Sequence, residues 1–303
     1  MHVPVLTKEV IKYLDPKPNE NFIDCTIGQG GHTKFILEKT GPYGKVLGID
    51  LDPSQIENTK LQLADFKERI ILTNDSYSNL KNIIEEKKFE PVNGILLDLG
   101  FSSEQLENSG KGFTFLKNEP LDMRYGTENQ KPKTKNQKYL TAEEIVNECR
   151  QDDLERIFKE YGEERFSRQI ANKIIEERKI KKIESTLHLV KIIKKAVPLK
   201  FQRGRIHCAT RIFQALRIEV NDELNNLIKV LPQIISVLAP GGRTVIISFH
   251  SLEDRIVKNF FKEEEKNKAL KILTKKPITA DFEEIKINPR SRSAKLRAAI
   301  KPI

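Results

Sequence analysis

Apolar residues along this chain follow two regimes. Within residues 22–98 and again in 243–249 they form short, nearly continuous runs of strand length: FIDC, KVLGID, IILT, GILLD and RTVIISF. Between these runs, apolar positions recur every three or four residues, the spacing of one helix face. The runs predict strands at Phe22–Cys25, Lys45–Asp50, Ile70–Thr73, Gly94–Asp98 and Arg243–Phe249, with helices near 33–40, 54–64, 78–88 and 211–238. Strands alternating with helices line up in parallel with helices on both faces, so the expected fold class is α/β. Between Leu99 and Cys208 the alternation stops. A Gly-, Ser- and Asn-rich loop and the polar run Thr127 to Lys138 lead into helical periodicity with stops near Gly162, near Lys181 and at Pro198. The expected organisation is a first sheet segment over 1–105, an inserted helical domain over 106–207 and a second sheet segment over 208–303. Strand-like pieces near 270–274 and 294–300 suit an antiparallel addition at the sheet edge. The stripe Ile212, Phe213, Leu216, Val220, Leu224 and Leu227 is expected to pack against the sheet, leaving Arg211 and Arg217 for salt bridges or phosphate.

Candidate chemistry concentrates between Phe22 and Asp50, where a strand, a glycine turn, a helix and an acid-ended second strand occupy one short segment. Gly28, Gly30 and Gly31 permit a tight turn, and the helix opening near His32 points free N–H groups at the same spot. Asp50 ends the second strand, placed to accept hydrogen bonds from a ribose diol. NAD and S-adenosylmethionine both fit so far. A dinucleotide fingerprint wants a third glycine where Thr33 stands, and Asp24, four residues before Gly28, would repel a pyrophosphate but favour a cationic amino-acid moiety. The spacing therefore favours S-adenosylmethionine. Glycines that serve packing alone are the structural alternative.

Charge adds an asymmetry. The 303 residues carry a net +10, yet residues 1–105 hold 12 Lys/Arg against 16 Asp/Glu, whereas 106–207 hold 23 against 16 and 208–303 hold 18 against 11. Positive charge that avoids the cofactor half suggests a polyanionic partner, RNA or DNA, for the rest, although lysine-rich helices can also be merely solvated. Cys25, Cys149 and Cys208 show no metal-ligand spacing, so no metal is expected. No signal peptide or membrane span is expected either, which points to the cytoplasm.

Ligands of open α/β sheets gather at the carboxyl ends of the strands. Those positions hold Gly28 to His32, Asp50, Asp75 and Tyr77, Asp98 with the loop LGFSSEQL, and His250 to Arg255. Tyr77 can stack on adenine and Gln105 can hydrogen-bond to the cofactor, a surface loop being the alternative for each. In SFHSLEDR, Ser251 can cap the following helix with Asp254 reciprocating; alternatively His250 lies beside the target as orienting donor or proton acceptor.

The segments HVPVLTKEV, GQGGH, GIDLDP, GILLDLGFSSEQL, GFTF, PLDMRY, YGEERFSRQIA, ATRIFQALRIEVNDEL, LAPGGR, ISFHSLEDRIVK and NPRSRSAKLR together resemble the bacterial family that methylates N4 of cytidine in 16S ribosomal RNA. The likeness runs nearly end to end. It implies a Rossmann-like S-adenosylmethionine-dependent methyltransferase sheet, a helical insertion facing rRNA, and a target in the decoding centre of the small ribosomal subunit. The implied cofactor contacts are Gly30, Gly31, His32, Asp50, Tyr77, Asp98 and Gln105. Tyr77 stands where many relatives carry Phe, and Cys25 where Gly is common.

Cytosine N4 is a poor nucleophile because its lone pair is delocalised into the ring, so acceptors that orient the amino hydrogens would activate it. The better-known amino-methylating enzymes place an acid or amide, two prolines and an aromatic after the fourth strand. Here that position reads Asp98-Leu99-Gly100-Phe101-Ser102-Ser103, without the prolines. The expected catalytic residues are Asp98, Ser102, Ser103 and His250, with Phe101 stacking on the base and Asp98 favoured for the cofactor over the amine. Arg165, Arg168, Arg290 and Arg292 are the candidate RNA contacts. A methyltransferase acting on DNA or a small molecule, and a non-catalytic RNA-binding assembly factor, are the alternatives; a homodimer is left open.

Overall fold

The computed structural model describes residues 4–100, 106, 109–126, 141–202, 204 and 206–303. They form two compact units, one of residues 1–100 with 224–303 and the other of residues 101–223.

In the sheet unit the chain runs α1 (Thr7–Leu14), β1 (Phe22–Asp24), α2 (Gly31–Lys39), β2 (Val46–Asp50), α3 (Pro53–Gln62), β3 (Ile70–Asn74), α4 (Leu80–Lys87) and β4 (Val92–Asp98). Phe22 pairs in parallel with Val46 of β2 and with Gly94 of β4, so β1 lies between those two strands. Side chains of successive residues point to opposite faces, which the packing reproduces. Phe22, Val46 and Leu96 join Val10 and Leu14 of α1 and Ile36 and Leu37 of α2 in one core, while Ile23, Leu47, Ile49, Ile95 and Leu97 join Ile83 and Ile84 of α4 in another. Because helices pack on both faces of these strands, apolar residues occupy successive positions along them. α1 was not foreseen; buried Val10 and Leu14 are too few to show a period.

The helical unit, inserted after β4, contains α5 (Ala142–Glu148), α6 (Gln151–Glu160), α7 (Ser167–Arg178), α8 (Thr186–Ala196), α9 (Leu199–Gln202) and α10 (Thr210–Asn221). Thr141 and Glu144 form a reciprocal capping box at the start of α5. Ile170 and Ile174 of α7, four residues apart on one helix face, are fully buried.

The chain returns through α11 (Glu223–Val237) to β5 (Leu238–Ser248), α12 (Ser251–Lys266), β6 (Lys271–Ile272), α13 (Phe282–Ile287) and β7 (Lys295–Ile300). β7 pairs antiparallel with β5 and with β6, completing the order β3-β2-β1-β4-β5-β7-β6. The expected antiparallel edge addition is thus present.

The periodic run over 211–238 departs from expectation. It is two helices, broken where Asp222 adopts φ 53° and ψ 37°, a left-handed conformation that Asp tolerates better than most residues. Ile212, Phe213, Leu216 and Val220 belong to the core of the helical unit, and only the following helix, through Leu227, Val230, Leu231 and Ile234, packs in the core of the sheet unit. The helical unit accordingly extends past the expected boundary at 207, to Glu223. Among the described residues, no helix is long and apolar enough to cross a membrane.

Candidate active site

Asp24, Asp50 and Asp98 end three adjacent strands, β1, β2 and β4, and the glycine turn leaves the first of them. Gly28 sits at φ 48° and donates its N–H to Asp50 Oδ2 at 2.9 Å, while the Asp52 N–H donates to Asp50 Oδ1 at 2.9 Å. Burial is the largest influence on Asp50 and pushes its carboxyl up to about 6, outweighing these two N–H donors.

The other two glycines answer to the protein's own packing. A Cβ on Gly30, at φ 75°, would come within 2.8 Å of Leu63 Cδ1, and one on Gly31 within 3.1 Å of the Pro4 ring. Only at Gly28 is the requirement purely conformational, because nothing but Thr26 O at 3.9 Å would meet its Cβ.

Asp24 and Thr33 are partners. The Thr33 hydroxyl donates to Asp24 Oδ2 at 2.7 Å and the Thr26 N–H to Oδ1 at 3.2 Å. Asp24 is 2% exposed, and burial holds its carboxyl above the ordinary range. Rather than standing open to a cation, it braces the first turn of α2 against β1.

That brace seats His32. Its ring is buried, with Nε2 3.5 Å from Asp98 Oδ2. Among the described residues, neither ring nitrogen of His32 has a hydrogen-bond partner, nor has Asp98 Oδ1. Buried polar atoms are nearly always satisfied, so three orphans in one place fit a ligand rich in hydrogen-bonding groups, as a nucleoside bearing an amino acid is. The Asp98 N–H donates to the Thr26 hydroxyl at 2.7 Å, tying the end of β4 to the turn after β1. Thr26 and Thr59, whose hydroxyl donates to the Gly28 carbonyl, were missed in the sequence because a lone Thr carries no pattern. Asp52 was legible: Asp before Pro-Ser is a helix-start signal, and its side chain caps α3.

Tyr77 opens a short 3-10 turn after β3, its ring partly buried beside the core that holds Leu80. His250 follows β5. Here the expected capping is present in a shifted register: His250, not Ser251, is the N-cap, its Nδ1 accepting the Glu253 N–H at 3.5 Å while the Glu253 carboxylate accepts the Phe249 N–H at 2.8 Å. His250 Nε2 lies 3.3 Å from Glu253 Oε1 but makes no hydrogen bond among the described residues.

Arg165 and Arg168 are exposed on the helical unit, at the start of α7. On the sheet unit, Arg292 is exposed and Arg290 partly so, on the 3-10 turn ahead of β7. Arg217 is no phosphate ligand: it is buried in a bidentate pair with Glu223, at 2.8 and 2.9 Å. Phe101, Ser102, Ser103 and Gln105 lie outside the described residues, as does the run Thr127 to Lys138.

Known proteins resemble this chain over its whole length. A family model described as the MraW methylase family matches residues 1–302. A Heliobacterium mobile protein named ribosomal RNA small subunit methyltransferase H is 44% identical over 316 residues, covering 99% of this chain and 98% of its own. The Thermotoga neapolitana protein of that name is 46% identical over 301 residues, covering 98% and 95%. A Clostridium botulinum protein, also so named, is 45% identical over 315 residues, covering 99% and 98%. With a sheet whose final strand reverses and a glycine turn facing unsatisfied acid and imidazole, the chain belongs to the MraW methylase family, with the Rossmann-like fold and the S-adenosylmethionine cofactor of a methyltransferase.

Proposed function

We propose that this chain transfers the methyl group of S-adenosylmethionine to N4 of one cytidine in the decoding centre of 16S rRNA, as free RNA or within the small subunit. The observation that carries it is end-to-end identity of 44–46% with proteins named for methylation of small-subunit rRNA. The basic helical insertion supports an RNA acceptor.

When bound, the cofactor supplies a methyl made electrophilic by its sulfonium. The residues of this chain do the rest. Asp50, held by Gly28 and Asp52, takes the ribose diol; Gly30, Gly31, Tyr77 and Gln105 line the cofactor; His32 and Asp98 offer their unsatisfied atoms to its polar groups. In the transfer, an N4–CH₃ bond forms as the S–CH₃ bond breaks, and N4 gives up a proton. Holding the nitrogen in line is the main task and contributes several kcal/mol. Ser102 and Ser103 orient the amine, and His250, with an unsatisfied Nε2, receives or guides the proton. Arg165, Arg168, Arg290 and Arg292 bind RNA phosphates.

The test is to incubate the protein with labelled S-adenosylmethionine and small subunits from a strain lacking the enzyme, then map the modified nucleoside. N4-methylcytidine at a single position is expected. Its absence, or label on duplex DNA or free nucleotides instead, refutes the proposal.

A further inference from the structure

On the helical unit, the stretch from Ser185 to Ile218 holds eight Lys or Arg and no Asp or Glu. Within it Pro198 closes one helical run, and the single turn α9 follows. That turn is held in place: the Gln202 side-chain amide donates to the carbonyls of Lys194 at 2.7 Å and Val197 at 2.6 Å, and the Phe201 N–H donates to the Pro198 carbonyl at 2.8 Å. Phe201 nevertheless remains 36% exposed. The Arg165 guanidinium lies over its ring, 4.8 Å from the centroid, and Lys200 Nζ over it at 5.1 Å, while the Phe166 ring is tilted against it at 5.1 Å. Among the described residues, neither Arg165 nor Lys200 makes an ion pair.

A ring in a structural role would be covered, and cations in a structural role would meet acids; here neither holds. An anchored, partly open aromatic beneath two cations that meet no acid has the chemistry of a single-strand binding platform, in which a base takes a face of the ring as the long cationic side chains swing off it to the flanking phosphates. We propose that Phe201, with Arg165 and Lys200, stacks an unpaired base of single-stranded RNA. The proposal rests on the rRNA methyltransferase reading and adds to it the place where an unpaired nucleotide is gripped on the insertion. Duplex RNA, whose base faces are already stacked, does not satisfy it.

The chain has no tryptophan, so Phe201→Trp places its one tryptophan, excited selectively over the tyrosines, on the platform. In the full-length protein, adding an unlabelled single strand of about 12 nucleotides should quench that fluorescence, and the same sequence as a duplex should not. Phe201→Ala should weaken single-strand binding by roughly 5- to 150-fold, measured by anisotropy, while Phe201→Trp retains it. An oligonucleotide that binds without quenching, or equal binding by Phe201→Ala, overturns the platform. So does a binding loss confined to assembled subunits with naked RNA bound normally, which would give the patch to a protein partner. Methyl transfer to subunits by the unsubstituted protein is measured alongside: transfer without quenching sinks the platform alone, whereas quenching without transfer upholds the platform and sinks the rRNA activity.

Discussion

Cofactor affinity should depend on pH through Asp50. Both of its oxygens already accept backbone N–H groups, yet burial dominates and pushes the carboxyl up to about 6, with Asp52 and Asp24 adding to the rise. A protonated carboxyl cannot offer both oxygens to a ribose diol, so binding follows the ionised fraction. That fraction is about nine-tenths at pH 7 and about one-tenth at pH 5, predicting affinity roughly tenfold lower at the acid end. Stability runs the other way. Because folding raises this pKa, the ligand-free fold is favoured below the ordinary carboxylate range and loses that contribution as pH rises through about 6. Calorimetric titration with the unreactive product S-adenosylhomocysteine between about pH 5 and pH 8 measures the first effect, and urea unfolding of the free protein measures the second. Asp50→Asn should bind weakly at every pH and lose the slope. Flat wild-type affinity across this range, or a tenfold slope surviving in Asp50→Asn, would refute the reasoning, the latter by shifting the titration to Asp24.

Asp98→Asn should lower product affinity about tenfold by removing a charged acceptor whose Oδ1 has no protein partner among the described residues; unchanged affinity with lost turnover would move Asp98 to the amine. His250→Asn keeps a good N-cap, so its urea midpoint should stay near wild type while methyl transfer falls at least about tenfold; full turnover would remove the imidazole from the mechanism. Thr33→Val strips the hydroxyl from buried Asp24 and should cost about 1–3 kcal/mol in denaturant unfolding. Glu223→Gln leaves buried Arg217 facing a neutral partner and should cost about 3 kcal/mol, with no change in unfolding free energy counting against the pair.

Much of the sheet was legible because its signals are local. A strand covered on both faces has to be apolar at successive positions, and a helix covered on one has to be apolar every three or four, so Phe22–Asp24, Val46–Asp50 and Val92–Asp98 fall within a residue or two of their expected places. The boundary of the insertion was harder. The run from Ile212 to Leu227 keeps one unbroken period across the helix break at Asp222, and nothing in a one-dimensional stripe says which core each half enters. The same limit applied to the helix after β5, where Ser251 is the expected cap and the backbone register places His250 there instead.

By itself, then, the sequence determined the strand and helix runs, the glycine turn at Gly28 and the acids that end the strands, since each depends on residue type and near-neighbour spacing. Only the tertiary structure decided that Thr33 is the partner of Asp24, that Arg217 is neutralised by Glu223, that His32 and Asp98 face one another unsatisfied, and that burial lifts Asp50 to about 6. Those facts depend on distances in three dimensions and on exclusion of water, which no local pattern encodes.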